Sequence, residues 1–247
     1  MSATTIPKII HQIWLGPAKC PTTCLYSWKQ KHPDWQHIIW TTHDFPALRE
    51  EFPEIPIEGF ARHNSYVSMS DVLRLELLYH YGGWFIDADS YCLRPIDDLC
   101  DHSFVVVKHP PSPNNKELST NAPANGIIGC TRKHPLIRRM MDHVSDYDPA
   151  LPPFMSTGPE KLAPVIRVWD NPEFPVTVLP HETFLPFHWN SVEKLTDAAN
   201  KLLSGQKANE EASVAPGSYA VQFWQSTQRD YILRGDLSRC QLLQKIR

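Results

Sequence analysis

Residues 65–90 read SYVSMSDVLRLELLYHYGGWFIDADS. Val67, Val72, Leu73, Leu75, Leu77, Leu78 and Tyr81 recur with helical rather than alternating spacing, which predicts a helix from Ser65 to Tyr81. Gly82-Gly83 supplies its C-terminal stop. Trp84-Phe85-Ile86 then predicts a compact buried strand, ended by Asp87-Ala88-Asp89-Ser90. The chain holds 23 prolines against 10 glycines, yet none falls in the 38 residues between Pro56 and Pro95. Proline breaks helix interiors, so its frequency elsewhere argues against long bundles, coiled coils and all-helical repeats. A regular helix–strand unit inside a proline-punctuated chain predicts an α/β fold.

The flanking sequence extends that reading. Ile6 to Leu15 predicts a strand stopped by Gly16-Pro17, Cys24 to Lys31 a short helix, and Gln36 to Trp40 a second strand. Strand, helix and strand within some 35 residues are the signature of a parallel βαβ unit. Residues 44–60 predict a surface loop. Further strands are expected at Phe104–Val107 and Pro175–Leu179, a strand or turn at Asn125–Cys130, and a last strand at Tyr219–Trp224. Helices are expected at His134–Ser145, at Glu160–Trp169 with Pro164 forcing a kink or late start, and at Val192–Leu203. Lys108–Pro123 reads as a polar loop and Ser204–Ser218 as a mobile one. No repeat or boundary divides the 247 residues, so one α/β domain is expected.

Composition excludes several functions. A net charge of −3, with pI near 6.4, gives no basic footprint for nucleic acid or an anionic membrane. The N-terminus lacks a basic segment followed by an apolar one, and no uncharged apolar run reaches the roughly 18 residues a bilayer requires. A soluble, cytoplasmic chain is expected unless an anchor has been removed. Six cysteines are too sparse for a disulfide scaffold; buried thiols are expected, with a Cys20–Cys24 disulfide the alternative. HExxH, GxGxxG, GxxxxGK[ST] and GxSxG are all missing, so zincin, dinucleotide, P-loop and serine-hydrolase readings have no motif support.

Two features carry chemistry. Asp71 and Arg74 stand i,i+3 on the predicted helix, so both side chains leave one face, amid apolar neighbours. A fork of donors beside acceptor oxygens suits a polyhydroxyl ligand, although a surface ion pair is the simpler alternative. Asp87-x-Asp89 follows a buried strand, and alternation puts both carboxylates on one side. Two hard oxygen donors there suit Mg²⁺ or Mn²⁺ completed by water and diphosphate oxygens. Open α/β sheets bind ligands at the carboxyl ends of their strands, where this pair falls.

Ser70-Asp71-Val72-Leu73-Arg74 through Tyr81-Gly82-Gly83-Trp84-Phe85-Ile86-Asp87-Ala88-Asp89 resembles the signature of DXD-containing sugar transferases, glycosyltransferase family 32. It is also similar to the catalytic core of the clostridial glucosylating toxins. Ile6 to Gly16 resembles the family's opening strand and His32-Pro33-Asp34-Trp35 the turn that follows; Asn125 and Thr157-Gly158-Pro159 match further family elements. The resemblance runs from about residue 6 to 227. It implies a GT-A fold, a Rossmann-like, mostly parallel mixed sheet flanked by helices. Residues 6–107 would form the donor-binding part, and 108–247 the acceptor side and a C-terminal flap.

The implied activity is retaining, metal-dependent transfer of a hexose from a GDP- or UDP-linked sugar to a glycan, lipid-linked or protein hydroxyl. GDP-mannose is the donor towards which the resemblance leans. Carried over residue by residue, Asp89 would ligate Mn²⁺ or Mg²⁺, and Asp87 would contact ribose or sugar and support the metal. Asp71 and Arg74 would hold the donor's hydroxyls, Ile13 and Trp14 would lie along the base, Phe85 would contact the donor, and Asn125 would sit near the reacting carbon. The family's C-terminal flap usually carries a His and then a Trp; Gln222 and Thr227 stand in those places here. Gln222 is therefore the expected third metal ligand, with Gln225 and Ser226 as the other candidates and as donor contacts. Two other functions fit parts of the pattern. One is a catalytically weak nucleotide-sugar-binding module. The other is a Mg²⁺-dependent phosphohydrolase using Asp87 and Asp89, which leaves Asp71 and Arg74 unexplained.

Overall fold

The computed structural model describes residues 5–18, 20–55, 65–111, 122–203, 214 and 216–224. Its central sheet contains β1 (Ile9–Ile13), β2 (Gln36–Trp40), β3 (Gly83–Ile86), β5 (Phe104–Lys108), β6 (Pro123–Cys130) and β7 (Val176–Leu179), in the order β2-β1-β3-β6-β5-β7. Five strands run the same way, and β6 alone is reversed, antiparallel to both β3 and β5. The expected βαβ unit is present: β1 pairs in parallel with β2 across helix α1 (Thr22–Lys31).

Alternation explains why the sheet sits between two apolar layers. Phe85, Phe104, Val106 and Ile128 point to one face, against Leu73, Leu77 and Leu78 of α3 (Tyr66–Tyr81) and against α4 (Pro135–Val144) and α6 (Pro159–Arg167). Trp84, Ile86, Val105, Val107 and Ile127 point to the other, against Trp28, Trp35 and Phe184. A sheet covered on both faces reads as continuous apolar runs, as Phe104 to Val107 does. Ser65 caps α3, accepting from Ser68 N–H at 3.1 Å. Gly83, at φ +92°, has room only for hydrogen, since a Cβ would lie 2.6 Å from the Ile9 carbonyl of the neighbouring strand.

Several local expectations change. Residues 44–60 do not form a continuous loop: Phe45–Glu51 is a helix, α2, started by Pro46 in its first turn and anchored by buried Leu48. Residues 56–64 lie outside the described residues, as do most of Lys108–Pro123 and Ser204–Ser218. Pro164 sits inside α6 without delaying its start at Pro159. Residues 125–130 belong to a longer strand starting at Pro123. A four-residue helix, α5 (Pro153–Ser156), precedes Thr157. Helix α7 spans Val192–Leu203, as expected. Three-residue β4 (Ser90–Cys92) pairs antiparallel with β8 (Ala220–Gln222) as a separate two-stranded sheet. Cys20, Cys24, Cys92, Cys100 and Cys130 are free thiols, Cys20 half-buried and the others buried. No described helix is long and apolar enough to cross a membrane.

Helix α3 also buries a carboxylate that has no catalytic neighbour. Glu76 lies 3.7 Å from His80 Nε2, and burial pushes its carboxyl up to about 7. Folded Glu76 therefore keeps its proton to higher pH than unfolded Glu76, and stability falls as pH rises from about 4.5 to 7. Glu76→Gln is expected to match wild type in urea unfolding at pH 4 and to exceed it by about 2 kcal/mol at pH 8.

Candidate active site

The site lies at one end of the sheet, where β3 finishes and reversed β6 begins. The Asp87 backbone N–H donates to Gly126 O at 2.9 Å, so β3 and β6 place Asp87 beside Asn125 and Gly126. Glycine at 126 leaves room for the Asp87 carboxylate: a Cβ there would run into Asp87 Oδ2 and push that side chain aside. On the other side Gln12 of β1 donates to the Asp87 carbonyl at 3.3 Å, while its Oε1 is 2.7 Å from His37 Nε2. Gln12 is fully buried; a lone amide in an apolar strand was the available signal, and only its place in the opening motif drew it into the sequence reading.

Asp71 and Arg74 are buried, their side chains 4% and 5% exposed. Asp71 Oδ1 accepts from Arg74 Nη2 and from Asn125 Nδ2, both at 2.8 Å, and Oδ2 accepts from Thr157 Oγ1 at 2.9 Å. Three donors occupy most of a carboxylate's roughly four lone-pair sites. Burial raises the Asp71 carboxyl; Arg74, Thr157 and Asn125 each pull it back. Arg74 in turn donates to the Asn125 carbonyl, lies 4.2 Å over the Phe85 ring and places Nη2 3.8 Å from Asp87 Oδ1. The simple surface ion pair is therefore excluded, and Asp71, Arg74, Phe85, Asp87 and Asn125 form one cluster. Thr157 joins it from the turn after α5, a contact no local sequence pattern signals.

The second carboxylate closes the cluster from the C-terminal side. The Asp89 carbonyl accepts from Phe223 N–H at 3.1 Å. Gln222 Nε2 donates to Asp89 Oδ1 at 2.5 Å and to Asp87 Oδ2 at 3.2 Å. Burial lifts the Asp87 carboxyl above the usual carboxylate range; Arg74 opposes this, and the Asp89 and Asp71 charges add to it. Gln222 Oε1 is buried and has no hydrogen-bond partner among the described residues. Ile13 is buried at the end of β1, and Trp14 follows it, its indole N–H donating to Ala18 O at 2.7 Å. Gln225 and Ser226 lie outside the described residues.

Residues 21–106 match a family described as the glycosyltransferase sugar-binding region containing a DXD motif. Over 189 residues the chain is 28% identical to inositol phosphoceramide mannosyltransferase 1 of Schizosaccharomyces pombe, covering 71% of this chain and 56% of that protein. It is 27% identical over 170 residues to mannosyl phosphorylinositol ceramide synthase SUR1 of Saccharomyces cerevisiae, covering 62% and 40%. The chain thus spans about half the length of these curated relatives. Among solved structures, PaToxG glycosyltransferase superposes with a TM-score of 0.52 at 19% identity, over 66% of this chain and 69% of that one. The family resemblance and the GT-A fold expected from residues 70–89 are both borne out.

Thr157→Val removes one donor to a buried carboxylate and leaves the others. It should cost about 1–3 kcal/mol at pH 7, read from urea midpoints, with Thr157→Ser near wild type. The cost should shrink as pH falls through the titration of folded Asp71, which burial raises above the usual carboxylate range, because the protonated carboxyl depends less on the lost donor.

Proposed function

We propose that this chain is a glycosyltransferase that moves a hexose from a GDP- or UDP-linked sugar to a hydroxyl acceptor, with Mn²⁺ or Mg²⁺ and with retention of configuration. The observation that supports this most is the convergence of Asp87 and Asp89 on one electropositive group, the Gln222 amide N–H, at the carboxyl end of a GT-A sheet. Two hard carboxylates facing one point suit a divalent cation there. The unpartnered Gln222 Oε1 fits the same role, because turning the amide over presents a third oxygen to that point. A bound Mn²⁺ or Mg²⁺ would neutralise charge growing on the departing diphosphate.

The chain's own residues then act as follows. Asp87 and Asp89 would hold the metal. Arg74, fixed by Asp71 and the Asn125 carbonyl, holds positive charge beside Asp87 and faces the donor sugar's hydroxyls. Asp71, with most of its lone pairs taken, acts largely by positioning Arg74 and Asn125. Asn125 sits closest to the reacting carbon, and Ile13 and Trp14 line the base, with Phe85 beneath Arg74. The bond from the sugar's anomeric carbon to the diphosphate oxygen breaks, the acceptor oxygen forms the new bond on the same face, and a diphosphate oxygen takes the hydroxyl proton. Residues 6–107 supply this donor side, and 108–247 the acceptor side. The curated relatives are named for transfer to inositol phosphoceramide, which favours a lipid-linked or glycan hydroxyl as acceptor.

Calorimetry with a panel of UDP- and GDP-sugars and Mn²⁺ tests this reading. One donor should bind and be slowly hydrolysed or transferred, and Asp89→Ala should lower binding by about 100-fold while keeping the far-UV CD spectrum. Gly126→Ala should shift the Asp87 carboxylate and weaken the same binding about tenfold with a nearly unchanged unfolding midpoint. Metal-dependent binding of a sugar nucleotide without turnover would point to a binding module. Phosphate release from simple monoesters, with no sugar-nucleotide binding, would sink the transferase.

A further inference from the structure

Strand β1 buries two polar side chains in an otherwise apolar run, His11 and Gln12, both fully shielded from solvent. Neighbours along a strand face opposite ways, so each reaches a different layer. His11 Nε2 lies 2.9 Å from the Gly82 carbonyl, just before β3, and Nδ1 accepts from the Trp40 indole N–H at 3.1 Å. Gln12 Nε2 donates to the Asp87 carbonyl, just after β3, and Oε1 faces His37 Nε2 at 2.7 Å. A ring of β2, acting through a polar side chain of β1, thus grips a carbonyl at each end of β3. At the entry that carbonyl belongs to a glycine. At the exit it belongs to the first carboxylate of the metal-facing pair.

The exit grip falls on a turn. The Asp87 carbonyl also accepts from Ser90 N–H at 3.0 Å, closing a four-residue turn in which Asp89 is the third residue. Gln12 therefore takes the second lone pair of the oxygen that closes the turn. The direction of each bond follows from chemistry. A carbonyl only accepts, so the Gln12 amide turns its nitrogen to Asp87 and its oxygen to His37, and His37 carries its proton on Nε2. Burial, with Lys29 and His32 nearby, pushes the His37 titration down to about 4, so the ring is neutral at pH 7. Without His37 the Gln12 oxygen would be buried and unpaired, a cost the amide avoids only by moving off the Asp87 carbonyl.

We infer that Gln12 and His37 are positioning residues for the metal site: His37 sets the Gln12 amide, and the amide holds the turn that spaces the Asp87 and Asp89 carboxylates. The inference rests on the transferase reading above and extends its site to an edge strand, β2, that carries none of the carboxylates. The action runs through the Asp87 main chain, so it sets where the carboxylates stand and leaves their charge unchanged. Outer partners that orient metal ligands in this way are commonly worth about 10–100-fold in metal affinity.

Calorimetry of the full chain with Mn²⁺ and UDP or GDP tests this. Gln12→Leu keeps the volume and removes the amide, and should weaken Mn²⁺-dependent nucleotide binding about tenfold. His37→Phe should weaken it about fivefold. His37→Gln puts an amide N–H where the imidazole Nε2–H stands, and should return binding to within about twofold of wild type. Both residues act through one amide, so Gln12→Leu combined with His37→Phe should bind no more weakly than Gln12→Leu alone. Long-range proton–nitrogen NMR of the metal-free chain should show His37 as the Nε2–H tautomer, its signal identified by its loss in His37→Gln. Unchanged affinity in Gln12→Leu, additive losses in the pair, or an Nδ1–H His37 overturns the proposal. Equal losses in His37→Phe and His37→Gln, tracking a lowered urea midpoint, make the pair a structural support and overturn it as well. Absence of nucleotide binding in wild type is the separate failure of the transferase reading, and the positioning role falls with it.

Discussion

The buried Asp71 carboxylate is the constraint on which the site depends. A charge taken out of water at that depth is stable only when it is paired and hydrogen-bonded. Its donors come from three pieces of the fold: Arg74 from its own helix, Asn125 from the reversed strand, and Thr157 from the turn behind α5. Losing any one leaves unsatisfied charge in the interior, so the helix, strand and turn are held in one arrangement. Arg74 has no freedom left to swing to solvent: Nη2 pairs with Asp71 and lies 3.8 Å from Asp87 Oδ1, while Nη1 donates to the Asn125 carbonyl. The polar cluster thus fixes geometry while the two apolar layers supply most of the stability.

This explains which parts of the site were legible in the sequence. The helix from 65 to 81, the double glycine and the strand carrying Asp87 are contiguous and regular, and their periodicity declares them. Asp71 and Arg74 share a face by helix spacing alone, and Asp87-x-Asp89 by its place after an apolar strand. The partners that satisfy these groups are non-local. Asn125 is 54 residues from Asp71, Thr157 is 86, and Gln222 is 133 from Asp89. No periodicity reaches that far, and Asn125, Thr157 and Gln222 came to notice through family motifs. Short elements were lost for a related reason: α5 has four residues and β4 three, too few for any pattern to repeat.

Residues 44–60 failed differently. Polar residues and prolines make the segment look like a loop, yet Pro46 sits in the first turn of α2, where a missing N–H costs nothing. Proline position, not proline count, decides. The same distinction applies to Pro164, which α6 tolerates beneath a buried face formed by Leu162, Val165 and Ile166.

The small second sheet has the largest consequence for its size. β4 pairs with β8 in the register Ser90↔Gln222, Tyr91↔Val221 and Cys92↔Ala220. Side chains alternate along a strand, so a slip of one residue would turn Gln222 away from the carboxylates and put Val221 or Phe223 in its place. Three paired residues alone hold a register weakly. Here α1 holds the opposite edge of β4, through Trp28 Nε1 donating to Ser90 O at 2.9 Å and Cys92 N–H donating to Ser27 Oγ at 2.8 Å. Buried Val221 and Phe223 pack with Cys24 and α7. The orientation of Gln222 towards Asp87 and Asp89 is therefore set by a helix about 190 residues earlier in the chain, and a substitution in α1 can disturb the metal-facing amide without touching it.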